Sequence, residues 1–249
     1  MKVLNKLAVA FSTLAIISTL TLTTSFACTN GNKWYEDVRW NSAPQNQAVY
    51  TKMGVSNGAV TDSSQGGFIA QVMWEATNNQ NDASINWVEA GYTYGWNAQN
   101  ILTYYFADGR PCGSWGCNKG SYDYHEHKIT SITPSVGSTM PIELVYAGGN
   151  SWDVLFNGNI QTASNANGSI STNNPPYSRG MACGIENTNA NNYLIGSSCG
   201  GLTYWDLLGN AHNWGGSNPS SGTSATFENY CGGNVYWLNA GSDLATDFG

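Results

Sequence analysis

Charge is scarce in this chain: Asp, Glu, Lys and Arg make up 10% of 249 residues, and nine basic side chains stand against sixteen acidic ones. Proteins that neutralise phosphates need clustered Lys and Arg, so the composition counts against nucleic acid as a partner. No basic stripe or cationic amphipathic helix offers a route to an anionic membrane surface either. Sustained apolar periodicity near 3.6 is missing, which argues against a helical domain. No apolar run reaches the roughly 20 continuous residues that a membrane span requires.

What is present begins with an export pattern. Lys2 and Lys6 precede the apolar stretches Leu7 to Phe11 and Leu14 to Ile17, and Ser25-Phe26-Ala27 closes with small residues. Charge, apolar core and small-residue exit in that order define a signal peptide over residues 1–27, with Ser12, Thr13, Ser18 and Thr19 interrupting the core. Its removal takes two lysines and leaves seven basic against sixteen acidic groups, a net charge of −9. Cys28 follows the cut and offers a lipid attachment point, but Ser25 stands where a lipoprotein signal usually carries Leu. Soluble secretion of a monomer is the leading expectation. Residues 28–249 then form one domain, with 28–60 as a possible short pro-segment or N-terminal extension.

Six cysteines in an exported chain point to disulfides rather than metal thiolates. Cys112 with Cys117 and Cys183 with Cys199 would each close a local loop, and Cys28 with Cys231 would tie the ends. Connectivity stays open among the 15 pairings that six cysteines allow.

Short alternating runs rich in Trp, Tyr, Val and Ile recur between Gly, Asn and Ser clusters, the pattern of an all-β domain. Strands are expected over 67–74, 84–94, 100–106, 122–132, 141–146, 151–156 and 182–187, enough for an antiparallel two-sheet β-sandwich. Asn157-Gly158 and Ala147 to Asn150 mark hairpin turns, and Asp108-Gly109-Arg110-Pro111 reads as a β-turn. Residues 161–176 and 210–226 read as loops, with 227–238 returning as a final strand.

Two carboxylates sit inside strands. Period two places Ile85, Trp87 and Glu89 on one face, and a carboxylate beside Trp and Ile suits acid-base work; an edge-strand glutamate in water is the plainer alternative. Glu186 is set similarly between Met181 and Thr188. His125 and His127 share a strand face and could supply half of a metal site, although hydrogen-bonded structural histidines are the simpler reading. Trp96, Trp115 and Trp214 lie in loop-like surroundings and are the tryptophans expected to be exposed. Exposed rings of that kind would suit a secreted module that stacks on glycans.

The run Trp87-Val88-Glu89-Ala90-Gly91-Tyr92, followed by Tyr94-Gly95, by Asn100 to Gly109 and by Cys112, resembles the core motif of the neprosin family. The resemblance is carried mainly by residues 68–110. It implies a glutamic endopeptidase with a β-sandwich, jelly-roll-like catalytic domain, no cofactor and a polypeptide substrate. The motif glutamate falls on Glu89, and the second member of the catalytic pair matches Glu186 in Gly184-Ile185-Glu186. Trp87, Tyr92 and Tyr105, within the motif segments, are the expected substrate contacts. Fungal glutamic peptidases are similar in strand order, with glutamine at the first position. The chain departs from the plant members after the second glutamate, where Asn187-Thr188-Asn189 replaces Trp-Gly-Gly.

Overall fold

The computed structural model describes residues 34–61, 67–76, 87–96, 99–111, 122–148, 151–161, 169–171, 178–188, 191–214, 226–229, 234–239 and 243–248. Sixteen strands and no α-helix occur among them. The first eight are β1 (Trp34–Gly54), β2 (Asn57–Ala59), β3 (Ile69–Ala76), β4 (Trp87–Tyr94), β5 (Thr103–Pro111), β6 (Tyr122–Lys128), β7 (Thr139–Gly148) and β8 (Ser151–Phe156). The rest are β9 (Asn159–Ile160), β10 (Ser169–Ser171), β11 (Ser178–Asn187), β12 (Tyr193–Asp206), β13 (Ala211–Asn213), β14 (Thr226–Asn229), β15 (Asn234–Asn239) and β16 (Asp243–Phe248).

Strand β1 turns one hydrogen-bonded network into two layers. Its first part, from Trp34 to Asn41, pairs antiparallel with β11 on one side and β14 on the other. From Asn46 onward it pairs with β12 and β7 instead. The register breaks between Asn41 and Asn46, across Pro44, whose missing N–H interrupts a ladder and favours a bend. The front sheet therefore runs β14, β1, β11, β3, β4, β5, β6, and the back sheet β10, β8, β7, β1, β12, β16, β15.

Alternation builds the core between these sheets. Val38, Trp40, Met73, Val88, Ala90, Tyr92 and Phe106 of the front sheet meet Val49, Met53, Leu144, Trp152, Phe156 and Leu202 of the back one. Edge-to-face rings cross the gap, Tyr104 on Phe156 at 5.3 Å and Trp40 on Tyr204 at 5.7 Å. Cys183 of β11 and Cys199 of β12 are disulfide-bonded, one of the expected local pairs, and both are fully buried. Gln71 binds beside this bridge, donating to Cys199 Sγ at 3.0 Å and accepting from Ser197 at 2.8 Å.

All seven expected strands are present, 151–156 with the expected bounds and the other six with a shifted end, and the Asn157-Gly158 turn holds both residues at positive φ, as a tight hairpin between β8 and β9 requires. The expected turn at Asp108 to Pro111 is corrected: it is the end of β5, paired with β4 and β6. Glycine stands there because the Trp87 ring occupies the place of a side chain, an added Cβ falling 2.2 Å from ring atoms. Within the stretch expected as a pro-segment or extension, residues 34–54 form β1, the strand common to both sheets. Trp214, expected to be exposed, is 1% exposed and belongs to the core. Cys28, Cys112, Cys117, Cys231, Trp115, Ile85 and the export segment lie outside the described residues.

Candidate active site

Strand β3 relates the two glutamates. Glu186 of β11 is registered opposite Ala70, and Glu89 of β4 opposite Trp74. Positions 70 and 74 share a face under the two-residue period, so both carboxylates rise from the same face of the front sheet, opposite the core. Both are 5% exposed. Strand β4 is interior, between β3 and β5, so Glu89 is not the water-bathed edge residue of the plainer alternative.

The floor between them is low. The row that separates the glutamates reads Asp37, Gly184, Val72, Gly91, Tyr105 across β1, β11, β3, β4 and β5. Two of its central positions carry no side chain. At Gly91 the backbone of β3 closes in so far that an added Cβ would lie 2.0 Å from the Gln71 carbonyl oxygen, and only glycine fits. The same face carries a small apolar cluster of Ala70, Val72, Tyr105 and Ala107, flanked by Phe68, Trp96 and Tyr124.

Glu89 is gripped by aromatic donors. The Tyr124 hydroxyl donates to Oε1 at 2.6 Å and Trp87 Nε1 donates to Oε2 at 3.1 Å. The Tyr105 phenol lies near enough for the Glu89 charge to act on it. Trp87 lies against Tyr124 with centroids 6.0 Å apart and planes 24° from parallel, over the bare Gly109. Burial, reinforced by Glu89 and Glu186, pushes the Tyr105 phenol well above its usual range. Burial and then Glu89 do the same to Tyr124. Both phenols therefore stay neutral donors throughout the acid range.

Of the expected substrate contacts, Trp87 and Tyr105 face this side. Tyr92 does not, and the expectation is corrected: it lies three residues from Glu89, so it points into the core. Its hydroxyl donates to the Gly54 carbonyl and accepts from the Ser56 N–H, each at 3.0 Å. His125 and His127 face the core side as well. His127 packs on Phe106 at 4.9 Å with Nε2 3.7 Å from Asp108 Oδ1, and no group of three or more His, Cys, Asp or Glu among the described residues is placed to hold a metal ion. Trp96 is partly buried against Tyr105 at 6.3 Å rather than free on a loop.

Sequence reasoning missed Tyr124 and Asp37. Tyr124 flanks the histidines that drew attention to β6, yet the alternation that placed His125 and His127 together also assigned Tyr124 the other face. Asp37 is buried and registered beside Gly184; the alternation of Val38 and Trp40 in the core was the available signal.

No protein-family model matches the chain, and no curated protein does. Solved structures do match in fold. A scytalido-glutamic peptidase bound to a peptide-based transition-state analogue superposes with a TM-score of 0.52 at 10% identity, covering 87% of this chain and 98% of that one. A second structure of that peptidase, with a transition-state analogue inhibitor, gives 0.54 at 8% identity over the same shares. SCP-B, a member of the eqolisin family of peptidases in complex with the tripeptide Ala-Ile-His, gives 0.51 at 10%. The class is thus a two-sheet β-sandwich of the glutamic-peptidase fold. The particular feature of this chain is a pair of buried glutamates on the face of its front sheet opposite the core.

Proposed function

We propose that this protein is an exported, neprosin-like glutamic peptidase that hydrolyses polypeptides with Glu89 and Glu186 and without a cofactor. The observation that carries the reading is the common face: two buried carboxylates on the strands that flank β3, separated by a row in which Gly184 and Gly91 carry no side chain. The resemblance of residues 87–92 to the neprosin motif and the likeness in fold to structures that hold a peptide-based analogue and a tripeptide point the same way. The export pattern in residues 1–27 and the Cys183–Cys199 disulfide fit an oxidising compartment.

One carboxylate takes a proton from water as the water oxygen bonds to the scissile carbonyl carbon. The other, protonated, hydrogen-bonds the developing oxyanion and then gives its proton to the amide nitrogen as the C–N bond breaks. The products are a carboxylic acid and an amine, and the requirement for one neutral carboxyl places the optimum at acid pH. Replacing Glu186 by Gln and assaying cleavage of an unfolded protein near pH 4 tests this: the expected result is loss of activity by about 100-fold or more, and a variant as active as the parent ends the idea.

A further inference from the structure

The outer face of the back sheet carries side chains that the catalytic reading leaves unused. Val49, Leu144, Val154 and Tyr204 turn into the core, so their neighbours along each strand point away from it. The register sets those neighbours in two rows across β12, β1, β7 and β8. One row reads Trp205, Ala48, Val145, Asp153; the other reads Thr203, Tyr50, Glu143, Leu155 and continues to Ile160 of β9. At roughly 4.8 Å between strands, each row runs about 14 Å from β12 to β8. Ala48 is buried and Ile160 is exposed, while the others are half-buried.

Two rings and several unspent polar groups meet at the β12 end. Tyr50 and Trp205 are set edge to face, with centroids 6.5 Å apart and planes at 88°. A bulge in β12 opposite Tyr50 and Lys52 places Gly201 at positive φ under the Tyr50 ring, where an added Cβ would lie 3.5 Å from Cε1. Ala48 keeps the surface beside Trp205 low. Among the described residues, the Tyr50 hydroxyl, Trp205 Nε1 and the Glu143 carboxylate form no hydrogen bond or ion pair, and all three reach solvent. Burial and then the Glu143 charge raise the Tyr50 phenol, so that carboxylate lies near the ring pair.

We propose that this face binds a neutral polysaccharide built of flat, equatorially linked sugar rings. Trp205 Nε1 can only donate and a carboxylate can only accept, so a ligand that satisfies both must carry groups that do both, as sugar hydroxyls do. The C–H faces of such sugars suit indole and phenol rings, which combine an apolar body with a polar tip. Val145, Leu155 and Ile160 extend the apolar track toward β8. Glu143 and Asp153 outnumber Lys52 on these strands, in a chain of net charge −7, and disfavour an anionic polymer. A cation would leave the indole N–H without an acceptor. Strands β1 and β7 are paired on both sides here, so a peptide finds no open backbone edge between them. The face lies on the other side of the sandwich from Glu89 and Glu186, and the proposal stands independently of the peptidase reading.

The test follows the Trp205 indole N–H of ¹⁵N-labelled protein by NMR, assigned from Trp205→Phe. The protein is titrated with cellohexaose and chitohexaose, which are neutral and flat, and separately with hexagalacturonate and hexalysine. The indole resonance is expected to shift with at least one neutral oligomer and to stay in place with both charged ones. Tyr50→Ala is expected to weaken binding of that oligomer about tenfold. Trp205→Phe, which keeps a ring but loses the donor, gives a second reading by calorimetry, with a loss of about tenfold. Both variants are expected to cleave an unfolded protein as the parent does. A resonance unmoved by both neutral oligomers, an equal shift with a charged one, or a Tyr50→Ala variant that binds like the parent overturns the proposal. A protein that binds the glycan and cleaves nothing upholds this site and rejects the peptidase reading instead.

Discussion

At the scale of single residues, the account depends on two glycines that yield space to other groups. Gly91→Ala would drive its methyl into the Gln71 carbonyl oxygen, and the expected cost is about 1–3 kcal/mol of stability, read as a lower urea midpoint. Gly109→Ala would instead lift the Trp87 ring from its seat and disturb the hydrogen bond to Glu89 Oε2. Its expected signature is a larger loss of peptide cleavage than of stability, seen by comparing kcat/KM with the same urea midpoint. These residues also show what a sequence makes legible. The common face of Trp87 and Glu89 follows from a spacing of two, and the burial of Tyr92 from a spacing of three, a parity that the motif resemblance obscured. The bond from Tyr124 to Glu89 spans 35 residues and two strand registers, so no local pattern announces it. Gly109-Arg110-Pro111 resembles a turn in composition because glycine there serves a ring contributed by another strand.

At the scale of elements, the hairpin of β12 and β13 has a chemistry of its own. Asp206 accepts from the N–H groups of Leu208 and Asn210 at 2.9 and 2.8 Å and from Asn210 Nδ2 at 3.0 Å, with His212 Nε2 at 3.0 Å. The His212 bond, followed by those of Asn210, holds the Asp206 carboxyl far below the usual carboxylate range. A carboxylate depressed in the folded state contributes stability above its unfolded value, about 4, and loses that contribution only as pH falls through the depressed folded value. The hairpin is therefore expected to stay closed at pH 4, where the peptidase assay runs. Hydrogen exchange at the Leu208 and Asn210 amides would show continued protection at pH 4 in the parent and its loss in Asp206→Ala; opening of the parent at pH 4 would contradict this. Residues 210–226 read as loop because Gly, Ser and Asn dominate them, and β13 takes only three residues, Ala211–Asn213, too short for alternation to register.

At the scale of the whole molecule, the sandwich class was legible because seven segments alternate, but the order of strands was not. Strand β11 enters between β1 and β3, and β1 serves both sheets; such pairings depend on contacts far apart in sequence, which no window of residues contains. The Cys183–Cys199 bridge joins the sheets across that topology with a separation of 16 residues. Its removal in a Cys183→Ala, Cys199→Ala double variant is expected to cost about 3 kcal/mol and to lower Tm by roughly 10 °C, as calorimetry would record. Function at this scale rests on β11 and β4 delivering one glutamate each to a common face. The most direct measurement is kcat/KM for an unfolded protein at pH 4 with Glu89→Ala, Glu186→Ala and the double variant side by side. Two groups that act on one bond as a unit give non-additive losses: each single change should cost about 100-fold or more, and the double no more than the worse single. Losses that multiply, or a single variant that cleaves like the parent, would contradict the account.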